Sequence, residues 1–271
     1  MKDKERTRPE ALSVLPPRLK IFSADRVDST NRLAKDFAKG ITDPLIPESE
    51  KFSEDYHYLF VADGQSGGKG RLGRRFVSDS GVGLYMSYLF KPKLPPAELT
   101  TLTAYAAVCA ANAIERLCGG EVGIKWVNDI YIGGKKAAGI LTESALTPAG
   151  EVAYAIVGIG INVKKRNFGE LSEIATSLED SLGVCPDRSE LALLISEGLR
   201  KFDTADKKEY MNEYKRRSTV LGKEITVNPI SGEPYAARAV DIDESGELIL
   251  ENEKNERFSI SAADVSIRVR S

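Results

Sequence analysis

The chain has 271 residues, of which 42% are hydrophobic and 29% charged, enough to bury one large core or a large and a small one. Its net charge of −2, with a pI near 5.8, excludes a general polyanion binder, whose domain would be basic overall. Three cysteines, Cys109, Cys118 and Cys185, form neither a disulfide framework nor a zinc spacing, so a reducing cytoplasm is the expected setting and no protein-held metal is expected.

In chain order, the first 19 residues read as a tail. "MKDKERTRPEALSVLPPRL" lacks the apolar stretch of a signal peptide. Residues 28–40, "DSTNRLAKDFAKG", read as a helix with an Asp/Ser/Thr cap, Leu33 and Phe37 on one face, and a stop at Gly40. A Pro-rich, charged excursion at 41–55 precedes the strand "YLFVAD". The strand "GLYMSYLF" resumes after a glycine-rich loop at 64–76. Leu99 to Ile114 is an uncharged run of 16 residues, short of the ~20 that span a bilayer, and reads as a buried helix. "GIKWVNDIYIGGKKAAGILTESAL" reads as strand, turn, short strand, Gly-Gly hairpin and strand, and "EVAYAIVGIGINV" follows after the turn "TPAG". Helical patterns fill 172–217. From "LGKEITV" onward, four or five short strands form a small all-β unit. The expected architecture is α+β, with a mixed or antiparallel sheet domain at 20–218 and a β-barrel-like unit at 219–271.

Two stretches carry chemistry. The loop "GQSGGKGRLGRRF" holds five glycines, one lysine and three arginines and no acid. Glycines let backbone N–H groups approach an anion, and the cations need a negative partner, so a phosphate-bearing ligand fits. It is not a Walker loop, because Gly70 stands where Ser or Thr would hold magnesium. "GIGINV" and "GVGLYM" lack the third glycine of a dinucleotide fingerprint. In "KWVND" (125–129), Trp126 offers an apolar wall, and Asp129 is a candidate to orient or deprotonate a nucleophile, beside the plainer reading of an Asx-turn. If 136–142 is a strand, Lys136 shares a face with Ala138 and Ile140 while Lys135 points away. A lysine there needs an anion. His57 is the single histidine, so a Ser/His/Asp triad would rest on it alone.

Taken in order, "DSTN", "GQSGGKGRLGR", "KWVNDIYIGGKKAAGIL", "GIGINV" and the small β tail resemble biotin protein ligase over nearly all of 20–271. The resemblance implies a class II synthetase-like (biotin/lipoate ligase) catalytic fold with an SH3-like C-terminal barrel. It also implies a reaction in which biotin and ATP give biotinyl-5′-adenylate and pyrophosphate. The biotinyl group then passes to a lysine of a carboxylase carrier domain. By the same resemblance, Ser29, Thr30, Asn31 and Gln65 surround the biotin head group, Lys69, Gly70 and Arg71 its carboxylate and the adenylate, and Lys136 is the catalytic lysine. Gly68, Asn128, Gly139, Gly160 and Asn162 complete the implied binding set. Mg²⁺ is expected with ATP, held by no dedicated protein site. Three departures stand out: Lys69 replaces a common Arg, Phe76 a usual Trp, and "KWVND" a Lys-Trp-Pro-Asn-Asp. Lys69 keeps the charge and loses the bidentate geometry. A lipoate or octanoate ligase is the nearest alternative chemistry. A biotin-sensing DNA-binding regulator is an alternative of another class, and the short segment before residue 20 speaks against it, since a three-helix reader needs more chain. No nucleic acid or membrane partner is expected, and the oligomeric state stays open between monomer and homodimer.

Overall fold

In the computed structural model, residues 18–262 and 265–269 are described. The larger core is built on a seven-stranded sheet of β1 (Arg18–Val27), β2 (Tyr56–Gln65), β3 (Gly83–Phe90), β4 (Gly123–Lys125), β5 (Asp129–Ile132), β6 (Lys135–Leu146) and β7 (Val152–Asn162). The order is β1-β2-β3-β7-β6-β5-β4. The β1/β2 pair is parallel and the other pairs are antiparallel. The helices are α1 (Thr30–Ala38), α2 (Leu102–Cys118), α3 (Leu178–Leu182), α4 (Arg188–Leu199) and α5 (Lys207–Arg216). A second sheet of β8 (Glu224–Pro229), β9 (Tyr235–Ile242), β10 (Leu248–Glu251), β11 (Arg257–Ile260) and β12 (Val265–Val269) is antiparallel throughout, in the order β11-β10-β9-β8-β12.

Every residue of β3 is buried because both faces of the sheet are covered. Leu84, Met86, Tyr88 and Phe90 face the Ala-rich α2 and α4, together with Ile159 and Ile161 of β7. On the other face Leu89 joins Leu33 and Phe37 of α1, with Tyr58, Phe60 and Ile156. The spacing of Leu33 and Phe37 along α1 is the amphipathic signal that docks it. Arg217 locks α5 to α2: it is 8% exposed and donates to Glu115, Glu213, Asn112 and the Val122 carbonyl.

Several expectations change. The segment expected to be a tail to residue 19 already contains the start of β1 at Arg18, and the rest of that expectation lies outside the described residues. β1 owes its place to parallel pairing with β2 and to Phe22, whose ring meets Phe37, Tyr58 and Phe60. The helical patterns expected at 172–217 are α3, α4 and α5, with Gly183 at φ 71 ending α3 and residues 200–206 separating α4 from α5. His57 is 3% exposed and shares a 2.5 Å hydrogen bond with the Tyr88 hydroxyl on the α2 side of the sheet. Burial, helped by the charges of Arg200 and Lys93, holds it down at about 4. It is a core histidine, not a triad base. Among the described residues, no helix is long and apolar enough to cross a membrane.

Candidate active site

The site grows from a floor of glycines. β6 and β7 pair Gly139 with Gly160 and Leu141 with Gly158. A Cβ on Gly158 would land on the Asn31 side chain, and one on Gly160 would stand 2.6 Å from the Phe76 ring. Absence of these side chains lets α1 and the loop residue Phe76 rest directly on the sheet. Above the floor lies a cleft of about 150 Å³.

One end of the cleft is polar and neutral. Ser29, 2% exposed, caps α1 without a side-chain hydrogen bond to its own helix. The backbone N–H of Thr30 donates to Gln65 Oε1 at 2.8 Å, and Gln65 Nε2 donates to Ser78 Oγ at 3.0 Å. Buried Ser87 on β3 lies 2.8 Å from Thr30 Oγ1 and 2.6 Å from Asn31 Oδ1.

The other end is cationic. Lys136 Nζ meets Asp129 Oδ1 at 2.6 Å. Ile130 pairs with Ala138 but Tyr131 with Lys136, so Ala137 is an extra residue on β6. This bulge reverses the alternation: Lys136 lies over Gly139, 3.3 Å from where its Cβ would be, rather than on the face of Ala138 and Ile140. Those two residues belong to the core. Lys135 points elsewhere and donates to the Ser172 carbonyl at 2.7 Å. Asn128 ties the β4–β5 turn to β6, donating to the Ile140 carbonyl at 2.8 Å while its own carbonyl accepts from Ile140 N–H at 2.9 Å.

The glycine-rich loop arches over this end as a hairpin. Gly70 N–H donates to the Arg74 carbonyl at 2.7 Å and Phe76 N–H to the Gly68 carbonyl at 2.9 Å. Leu72 and Gly73 turn the tip with φ of 55° and 70°. Arg71 donates to Asn128 Oδ1 at 3.3 Å, to the Ala262 carbonyl, and to the Val265 carbonyl at 3.3 Å, so the C-terminal unit helps hold the loop. Burial lowers the Arg71 pKa from its ordinary value, with Asp129 opposing. Nearby Lys125 is lowered first by burial and then by the charges of Lys136, Arg268 and Arg74, again against Asp129. Such a surplus of cations suits a polyanion.

Residues 24–162, half of the chain, match the biotin/lipoate A/B protein ligase family. The chain belongs to that family.

A second match, over 220–268, is to the biotin protein ligase C terminal domain. The bifunctional ligase/repressor BirA of Bacillus subtilis is 34% identical over 216 residues, covering 77% of this chain and 66% of its own length. The chain thus spans just under two thirds of that relative. The biotin--[acetyl-CoA-carboxylase] ligase of Paracoccus denitrificans is 29% identical over 250 residues, covering 89% of this chain and 97% of its own. Among solved structures, the biotin protein ligase from Aquifex aeolicus in complex with biotin and ATP superposes with a TM-score of 0.70 at 29% identity, covering 93% of this chain and 99% of its own.

In this biotin/lipoate ligase-family chain, the cleft brings together Ser29, Thr30, Asn31, Gln65, Lys69, Gly70, Arg71, Asn128, Asp129, Lys136, Gly139 and Gly160. Three expected residues lie outside its lining. Gly68 packs beneath the loop, where a Cβ would meet the Phe76 carbonyl at 2.4 Å. Asn162 donates to the Thr176 carbonyl at 3.0 Å and accepts from Arg166, bracing the segment after β7. Trp126, 4% exposed, donates Nε1–H to the Gly246 carbonyl at 3.0 Å and seals the junction with the C-terminal unit. The apolar wall expected of it is Phe76. Asn31 lines the cleft with its amide already engaged, by Leu141, Glu143 and Ser87. Sequence reading missed Gly158, Ser87, Glu143 and the wall role of Phe76. Only the alternation of small residues in "VGIGIN" hinted at the glycine floor.

Proposed function

We propose that the chain joins biotin to a lysine of a biotin carboxyl carrier domain, by way of biotinyl-5′-adenylate. One observation carries this reading: a single cleft is neutral and hydrogen-bonding at one end, apolar in the middle and cationic at the other. Biotin has this order of chemistry, with a ureido ring, an apolar bicycle and chain, and a carboxylate. Ser29, Thr30 and Gln65 supply donors and acceptors for the ureido group. Phe76 over Gly139 and Gly160 fits the apolar part. A lipoyl dithiolane would leave the polar end unpaired, at a cost in affinity.

In the first step a biotin carboxylate oxygen attacks the α-phosphorus of ATP, forming the mixed anhydride and releasing pyrophosphate. The nucleophile is the substrate's own, so no activated serine or cysteine is needed. Lys69, Arg71 and Lys136 offset the charge that gathers on the phosphoryl oxygens. Asp129 holds Lys136 in the cleft. Among the described residues no group of His, Cys, Asp and Glu could hold a metal, so Mg²⁺ bound to the nucleotide phosphates would add charge neutralisation there. In the second step the amine of the carrier lysine attacks the acyl carbon and AMP leaves. Asp129, the carboxylate lining the cleft, orients that amine or takes its proton.

We further assign the boundary between catalytic and C-terminal units to residues 218–219 and the location to the cytoplasm, where Cys109, Cys118 and Cys185 stay free thiols. The test is incubation with ATP, a carrier domain, and either biotin or lipoate, followed by mass analysis of the carrier. Mass gain with biotin alone supports the reading; gain with lipoate in preference overturns it.

A further inference from the structure

Ser78 follows the glycine-rich loop, is 6% exposed, and lies outside the lining of the cleft. Its backbone carbonyl accepts from Gln65 N–H at 2.9 Å, which pins the return limb of the loop to the end of β2. Its hydroxyl makes two further bonds, one to each side. Ser78 Oγ accepts from Gln65 Nε2 at 3.0 Å and donates to the Phe76 carbonyl at 3.1 Å.

Both directions are fixed by groups that have no choice. Thr30 N–H can only donate, and it does so to Gln65 Oε1 at 2.8 Å, joined there by the Thr30 hydroxyl at 3.2 Å. Gln65 Nε2 is thereby turned toward Ser78. The Phe76 carbonyl can only accept, so it takes the single hydroxyl proton of Ser78. Room for this knot comes from Gly68, where a Cβ would stand 2.6 Å from Ser78 Oγ and crowd the Phe76 carbonyl as well. The Gly68 carbonyl also accepts Phe76 N–H at 2.9 Å, so both polar groups of the Phe76 backbone are held. Its ring is the one that rests on Gly160 and Gly139 as the wall of the cleft.

We infer, resting on the biotin reading above, that Ser78 is a positioning residue: a single hydroxyl sets both the Gln65 amide at the ureido end and the Phe76 ring over the bicycle. Ser78 itself does not reach the ligand. Without the hydroxyl, Gln65 Nε2 and the Phe76 carbonyl each lose a partner in the closed arrangement, and the wall and the head-group end are no longer placed as one unit. The cationic end is anchored separately. Gly70 N–H is held by the Arg74 carbonyl, and Arg71 by Asn128 and the C-terminal unit, so the groups that face the nucleotide keep their geometry.

The experiment is steady-state pyrophosphate release with wild type, Ser78→Ala and Ser78→Cys, the second of which keeps the size of the side chain but bonds only weakly. The expected result is a rise of about tenfold or more in the biotin KM of both variants, with the ATP KM within about twofold of wild type. Titration calorimetry with biotin alone should show the same rise in Kd. In a Phe76→Ala background, adding Ser78→Ala should raise the biotin KM by about threefold or less, because the wall that Ser78 seats is already gone. A wild-type biotin KM in either single variant, or a full loss that persists in the Phe76→Ala background, would overturn the inference. So would parallel rises in both KM values with a lowered Tm, which mark a merely structural role. A wild-type protein that releases no pyrophosphate with biotin would instead strike down the biotin reading itself.

Discussion

Lys136 Nζ lies 2.6 Å from Asp129 Oδ1, and it does so because the bulge at Ala137 rotates the lysine off the core face and into the cleft. Its neighbour Lys135 is spent on the Ser172 carbonyl. Lys136→Ala is therefore expected to lower adenylate formation by about 10²-fold or more, while Lys135→Ala stays near wild type. Pyrophosphate release measures both. Equal losses would mean that the bulge does not sort the two lysines.

Arg71 crosses from the loop to two carbonyls of the C-terminal unit and to Asn128. Arg71→Gly removes a charge from the anion end and the tether from the hairpin in one change. The adenylate should then escape more readily and acylate exposed lysines at large. The measurement is biotin incorporation into an unrelated lysine-rich protein added to the reaction. No increase over wild type would show that Arg71 does not retain the intermediate.

Five glycines between residues 64 and 76 give the loop many alternatives to its hairpin, and ordering each residue costs ~1–2 kcal/mol. A biotin carboxylate drawn toward Lys69 and Arg71 would meet part of that cost before nucleotide arrives. Biotin and ATP should thus bind with positive coupling of about 1–3 kcal/mol. Calorimetry of a non-hydrolysable ATP analogue, with and without biotin, and hydrogen exchange on the loop peptide report it. Identical affinity and identical exchange would show a preformed loop.

His57 ties stability to pH through a single group. Its folded pKa of about 4 lies below the ordinary 6.5, so the unfolded chain binds the proton more readily. The stabilisation is whole above pH 6.5 and is lost as pH falls through about 4, by about 3 kcal/mol at most. His57→Phe should flatten the denaturation midpoint across this window. A slope that survives the substitution would assign it to other groups.

Much of the site was legible in the sequence because its signals are local. A Gly-Gly pair closes the β5–β6 hairpin, at φ of 56° and 81°, and "DSTN" does open α1. Features that depend on partners far along the chain were not legible. β1 reads as a charged, irregular stretch until β2 pairs with it. The bulge at Ala137 shows no residue of its own, since alanine fits either phase of a strand. Trp126 looked like a ligand wall because its acceptor, Gly246, belongs to another unit. Asn31 sits in a binding motif, yet its amide is consumed by residues that only the folded sheet brings to it.

Trp126 is the chain's sole tryptophan, and its indole N–H is anchored across the junction while Asn128 and Asp129, a few bonds away, line the cleft. The protein therefore carries its own optical gauge of that seam. Its emission has no competing indole to dilute it, so a wavelength or intensity change on adding biotin or nucleotide reports one place. Loosening of the C-terminal unit would wet the ring and redden the light before the main sheet melts, which makes the order of events in unfolding readable without any label.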